Sequence, residues 1–288
     1  MKVVVQVVLA FYCFTVWGQM PDTEIFLSDI EIKNHLIKIE KTVNMSNHKG
    51  YDNQPCFMPD EKNMVFFSQA DSNQKVHISA YNIRSKKTKR ITATPTSEYS
   101  PMLAPDKMNF SVVMVEEDSS QRVWLFDLKT GAKKICLTQK TDSIGYYTWL
   151  GNDSILYYKL TKPHSLRVLN LKTGEDNWLC DSPTRSFKSI SNTSFFYVIH
   201  EETQNLLYSF NIPLKKATLI ATDKPDNQDY VYQPDLGFIK SEGSRLYRYS
   251  PETKVWVEVA DFSAAGISKI TRFAFSADKK HLAVVSNQ

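Results

Sequence analysis

Asp52, Glu98 and Asp229, together with Arg185 and Arg272, are the residues of this sequence whose types and spacing could do chemistry as a group. Carboxylates converging on one point could hold a divalent cation and activate a water bound to it. Arginine set among aromatic side chains is instead the composition of a contact patch. Two or three carboxylates with an arginine in their midst are too few and too mixed in charge for a catalytic cation cage. A structural calcium is the one cofactor such a grouping allows. Other chemistry lacks its motif: there is no Gly-x-Ser-x-Gly, no His-Glu-x-x-His, and with nine glycines in all no phosphate-cradling loop. His35, His48, His77, His164, His200 and His281 are scattered and read as surface or packing residues. Cys56, Cys136 and Cys180 have no short spacing and lie in apolar stretches, where a free thiol behaves as a small buried hydrophobe.

The elements that must position these residues are short strands in a repeat of about forty residues, the period of a propeller blade. YDNQPCFMPDEKNMVFFS from Tyr51 returns as EYSPMLAPDKMNFSVVM from Glu98, so that Pro55, Pro59 and Asp60 recur as Pro101, Pro105 and Asp106. The second half of the unit repeats too: RVWLFDLKTGAKKI from Arg122 parallels SLRVLNLKTGEDNW from Ser165, and the shared Lys-Thr-Gly marks a hairpin turn between alternating strands. Weaker copies run from Asn192 to Ala221 and from Leu236 to Ala260. ITRFAFSADKKHLAVVS, from Ile270 to Ser286, holds only the first two strands of a unit. The missing pair stands at the other end, in TEIFLSDIEIK and LIKIEKTVN (Thr23 to Asn44). The expectation is an all-β, six-bladed propeller of four-stranded antiparallel blades, with residues 50–288 giving five full units and a half unit, and residues 19–49 completing the last blade. Pairing the two ends would close the ring and cover its strand edges.

Unit alignment puts Asp52, Glu98, Gly145, Arg185, Asp229 or a near neighbour, and Ile270 at the first level of the innermost strands. Gln54, Ser100, Tyr147, Phe187, Tyr230 and Arg272 fall at the next. Six strand starts meet at one channel mouth, where Tyr51, Tyr99, Tyr146, Tyr147, Phe187, Tyr230 and Tyr232 also cluster. That face, centred on Asp52, Gln54, Glu98, Ser100, Tyr147, Arg185, Phe187, Tyr230 and Arg272, is the expected binding surface. Asp60, Asp106, Asp153 and Asp278 are expected to be structural, each accepting backbone N–H groups in the turn between the first two strands of its unit.

Gln54 to Asp60, Ser100 to Asp106 and Phe275 to Lys280 resemble the WD40-like propeller repeat of the TolB type, whose units open with a polar residue, proline, an aromatic and Ser-Pro-Asp-Gly. Here Glu61, Lys107 and Lys279 stand where glycine is usual. The resemblance implies a bare propeller, without the N-terminal domain of TolB, that binds an envelope protein or peptide.

Residues 1–18 read as a signal peptide, with Lys2 before the apolar run from Val3 to Val16 and the small Gly18 at its end, followed by one propeller domain over 19–288. The expected protein is periplasmic or secreted, monomeric, and not inserted in a membrane once the leader is removed. The net charge of +4 is dispersed apart from Lys86, Lys87, Lys89 and Arg90 at a hairpin, which argues against nucleic acid. The reading is a non-catalytic scaffold for a protein, peptide or glycan. The alternatives are a metal-dependent propeller hydrolase of lactonase or esterase type, and a carbohydrate-binding or lyase-like propeller.

Overall fold

The computed structural model describes residues 20–59, 63–226 and 229–287; residues 1–18, expected to be a signal peptide, and the turn residue Asp60 lie outside the described residues. The chain opens with β1 (Thr23–Lys33) and β2 (Leu36–Asn44). Blade 1 is β3 (Asp52–Phe57), β4 (Met64–Ala70), β5 (Val76–Asn82) and β6 (Lys87–Arg90). Blade 2 is β7 (Ser97–Leu103), β8 (Asn109–Val115), β9 (Gln121–Asp127) and β10 (Lys133–Cys136). Blade 3 is β11 (Ile144–Leu150), β12 (Ser154–Lys159), β13 (Ser165–Asn170) and β14 (Asp176–Asp181). Blade 4 is β15 (Pro183–Ser191), β16 (Ser194–His200), β17 (Asn205–Asn211) and β18 (Lys216–Asp223). Blade 5 is β19 (Tyr230–Gln233), β20 (Gly237–Glu242), β21 (Arg245–Ser250) and β22 (Val255–Asp261). The last two strands, β23 (Ile270–Phe275) and β24 (His281–Asn287), join the first two in a sheet of order β2-β1-β24-β23. That blade is the expected composite of both chain ends: β1 runs antiparallel to β24 from the Thr23/Asn287 pair to Asp29/His281. Neighbouring innermost strands touch around the circle, and β23 touches β3, which closes it.

The second strand of each blade is buried on both faces, and the period-two pleat sorts its side chains to two neighbours. In β4, Val65 and Phe67 pack toward blade 6 while Phe66 packs toward blade 2. In β16, Phe195 and Tyr197 face blade 3 and Phe196 and Val198 face blade 5. This is why such strands read as unbroken apolar runs (MVFFSQA, SFFYVIH) rather than as alternations. Each fully buried Phe contributes about 2 to 3 kcal/mol of transfer free energy. Outer strands are polar instead: Lys87, Thr88, Lys89 and Arg90 of β6 are all exposed, and charge on an edge strand discourages pairing with another chain.

The repeated prolines acquire a physical cause. Gln54 and Ser100, each just before a proline, have φ of +58° and +54°, and the inner strand bulges there, between Asn53 and Cys56 and between Tyr99 and Met102. Gln54 Oε1 accepts the Ser100 N–H at 2.7 Å and the Ser68 hydroxyl at 2.8 Å, so the bulge of one blade is tied to that of the next. Ser186 Oγ likewise accepts the Tyr230 N–H, Asp229 Oδ2 accepts the Phe273 N–H, and Thr23 Oγ1 donates to the Asp52 carbonyl.

Asp106 accepts the N–H groups of Met108 and Asn109, and Asp278 accepts that of Lys280 and the Ser276 hydroxyl, as expected of turn aspartates. Lys107 and Lys279 take φ of +56° and +62°, so lysine there adopts the left-handed conformation that glycine would adopt without strain. Asp153 corrects the expectation. Its carboxylate pairs with Lys172 at 2.8 Å across the hairpin and takes no backbone N–H among the described residues. Its turn begins with Gly151 at φ +65°, which makes the left-handed bend without a carboxylate to brace it.

Candidate functional site

All six innermost strands contribute to one central cavity of about 300 Å³. Gln54, Ser100, Tyr147, Arg185, Phe187, Tyr230 and Arg272 border it, so seven of the nine expected residues are brought together. Five of these, Gln54, Ser100, Tyr147, Phe187 and Tyr230, are buried. Tyr147 is buried between blades 2 and 3 with its hydroxyl on Ser111 Oγ at 2.7 Å, and Phe187 packs against Phe195 and Leu156. Tyr230 is buried and donates to Asp223 Oδ2 at 2.8 Å, while the bulge bridge engages Gln54 Oε1 and the Ser100 N–H and leaves the buried Ser100 hydroxyl with no hydrogen-bond partner among the described residues.

Asp52 and Glu98 do not reach the cavity, which corrects their assignment to the binding face. Both are fully buried inside their own blades. Asp52 accepts from Gln69 Nε2 at 2.9 Å, with His48 Nδ1 at 3.5 Å. Glu98 accepts the Thr92 hydroxyl at 3.0 Å and faces His77 Nδ1 at 3.3 Å. Burial pushes each carboxyl up to about 7, against opposing hydrogen bonds from Gln69 and Thr92 respectively. Their strand neighbours show why: when Tyr51 and Tyr99 face the axis, pleating turns Asp52 and Glu98 the other way.

The side chains that do converge come one from each of five blades. Tyr51 and Tyr99 meet edge to face with ring centres 6.3 Å apart, and the Arg272 guanidinium lies 5.6 Å from the centre of the Tyr146 ring. Tyr51 feels Arg272, Tyr146, Tyr99 and Arg185 together, but burial dominates and raises its hydroxyl to about 12. Arg185 donates from Nη2 to the Thr271 carbonyl, and its Nε lies 3.9 Å from Asp229 Oδ1. Burial raises the Asp229 carboxyl, with Arg185 and Arg272 pulling it back. Lys188, exposed on the same strand as Arg185, also borders the cavity. Sequence alignment missed it because β15 has irregular register between Pro183 and Phe187, which breaks the alternation counted from Arg185.

A wider recess of about 580 Å³ opens at the strand starts, bordered by Thr23, Asn53, Asp226, Lys269, Thr271 and Asn287. Arg185 and Asp229 border both spaces and link the mouth to the channel. Among the described residues no three His, Cys, Asp or Glu side chains stand close enough together to hold a metal ion.

No family model matches the chain, and no curated protein matches it by sequence. Solved structures do match in shape. A putative TolB from Agrobacterium tumefaciens aligns over 93% of this chain and 99% of its own, at 11% identity and a TM-score of 0.67. TolB from Acinetobacter baumannii aligns over 69% of this chain at 18% identity and a TM-score of 0.51, the match spanning 51% of that protein. An oligogalacturonate lyase in complex with manganese aligns over 88% of this chain and 83% of its own, at 11% identity and a TM-score of 0.57. The chain has the six-bladed β-propeller fold that TolB-type structures share.

Proposed function

We propose that this propeller is a non-catalytic binding scaffold that holds a protein or peptide at the strand-start mouth of its channel. The observation that carries the reading is the convergence in that channel of partly exposed Tyr51, Tyr99, Tyr146, Arg185 and Arg272 from five different blades, with Arg185 bordering the mouth as well. Tyrosine and arginine in a concave, half-desolvated setting are the residue types that anchor interfaces. Likeness in fold to TolB structures supports a partner in the cell envelope, and the leader-like residues 1–18 support a periplasmic or secreted location. A photocrosslinking amino acid at Tyr99 should capture a discrete partner from envelope extract, and the same group at Lys86 on the rim should not. Capture only from Lys86 would move the binding face to the basic hairpin.

The likeness to a manganese-bound lyase favours a second reading, a metal-dependent enzyme acting on carbohydrate. Turnover of oligogalacturonides by the purified protein with added manganese, abolished by a chelator, would put that reading first.

A further inference from the structure

We propose that the channel is a carboxylate-binding site, filled by an acidic side chain or a free C-terminus of the polypeptide that docks at the mouth. The proposal rests on the mouth-binding reading and gives it a ligand chemistry. Three cations, Arg185, Lys188 and Arg272, border the central cavity against one carboxylate, Asp229. That carboxylate is already engaged: its Oδ2 accepts the Phe273 N–H at 2.9 Å, and its Oδ1 is 3.9 Å from Arg185 Nε, too far for a hydrogen bond. The Nε atoms of both arginines are buried with no hydrogen-bond partner among the described residues. The Arg272 side chain makes no hydrogen bond or ion pair with any described residue; its guanidinium lies over the Tyr146 ring and acts on Asp229 and Tyr51 only through its charge. A guanidinium held on an aromatic face in a partly desolvated channel, its donors unused, is set up for a planar two-oxygen anion that accepts two parallel N–H bonds. Arg185 and Asp229 border the outer recess as well, so a group entering from the mouth meets Arg185 first.

The aromatic groups favour a peptide over an acidic sugar. A sugar ring stacks on an open aromatic face, but Arg272 covers the Tyr146 face and Tyr51 meets Tyr99 edge to face. Those rings are engaged in shaping the arginines' surroundings.

The test is calorimetric titration of the whole protein, in low-salt buffer, with four probes. These are the blocked peptide acetyl-Gly-Ser-Glu-Ser-Gly-amide, its Gln counterpart, that Gln peptide with a free C-terminus, and digalacturonate. A carboxylate peptide should bind at least about tenfold tighter than the blocked Gln peptide, and Arg272→Met should remove at least about tenfold of that affinity. Lys86→Ala should leave it unchanged. The tighter of the two carboxylate peptides identifies the source as a side chain or a chain end. The Arg272 side chain makes no hydrogen bond to a described residue, so the Met variant should keep its melting temperature. Should it melt early, Arg272→Lys, which keeps the charge and loses the fork, should still bind several-fold more weakly. The proposal is overturned if neither carboxylate peptide beats the blocked Gln peptide, or if neither Arg272 variant weakens binding. Arg272-dependent binding of digalacturonate alone overturns the assignment to a peptide. Crosslinking at Tyr99 that persists through such a result would leave the mouth as the docking face and sink only the carboxylate.

Discussion

Replacing Glu98 by glutamine should make the protein more stable in mild alkali while changing little in mild acid. Glu98 is fully buried and its carboxyl is raised from 4.5 to about 7, burial being the first cause. Because the folded value lies above the unfolded one, the stability this group contributes is present below about 4.5 and is lost as pH rises through 7. In between, unfolding releases a proton and stability falls by about 1.4 kcal/mol per pH unit, about 3 kcal/mol over the whole window. The substituted glutamine stays neutral throughout and its amide oxygen can still accept from Thr92. His77 works the other way, since burial and Arg90 lower it below 6.5 and it costs stability as pH falls through that range. Asp52 is present in both proteins and cancels, whereas His77 lies 3.3 Å from Glu98, so the difference between the two reports Glu98 together with its coupling to His77. Urea unfolding followed by tryptophan fluorescence, from about pH 5 to about pH 8, should show the variant gaining about 2.5 kcal/mol on the wild type. A difference that stays flat to within about 0.5 kcal/mol would refute a carboxyl held neutral by burial.

Deleting residues up to Asn44 should uncover the edge of β24 and leave a chain that aggregates, measured by light scattering and thermal melting; a monomer with an unchanged melt would break the ring-closure argument. Lys107→Gly should relieve the left-handed lysine and raise stability by up to about 1 kcal/mol in chemical unfolding, and a loss would show the lysine side chain matters more than its backbone. Phe110→Ala, at the seam of blades 1 and 2, should cost about 3 to 5 kcal/mol by the same measurement. Thiol titration should find Cys56, Cys136 and Cys180 reacting in denaturant and slowly without it, since all three are unpaired and burial raises each thiol.

The ring was legible because a propeller repeats itself: Pro55/Pro101 and the two Lys-Thr-Gly turns mark unit boundaries, and an orphan half unit at each end admits one completion. The site was legible only to within one residue. Alignment of units equates positions, but a bulge shifts alternation within a strand, and a slip of one sends a side chain through to the other face. Asp52 and Glu98 were therefore expected at the axis and lie within the blades, whereas Tyr51 and Tyr99, one position before and after them, reach it. The bulges themselves are written in Gln54-Pro55 and Ser100-Pro101, yet nothing local says that a glutamine or serine will take positive φ there. That conformation is braced by the neighbouring blade, a contact between residues 46 positions apart. Asp153 differs from its relatives for a local reason, because Gly151 supplies the turn that an aspartate braces elsewhere.

The seam between β1 and β24 also sets an order of assembly. His281 pairs with Asp29 across 252 positions, so β1 waits for β24 until all five intervening blades have been made. Throughout that interval the apolar strand TEIFLSDIEIK can pair with β2 but offers its other edge to any strand in reach. Blades 1 to 5 are built from contiguous stretches and can form in sequence as they appear, while the sixth is a late and long-range event. A ring with this architecture has its slowest and most aggregation-exposed step at that seam, because β1 keeps an open edge until β24 is in place.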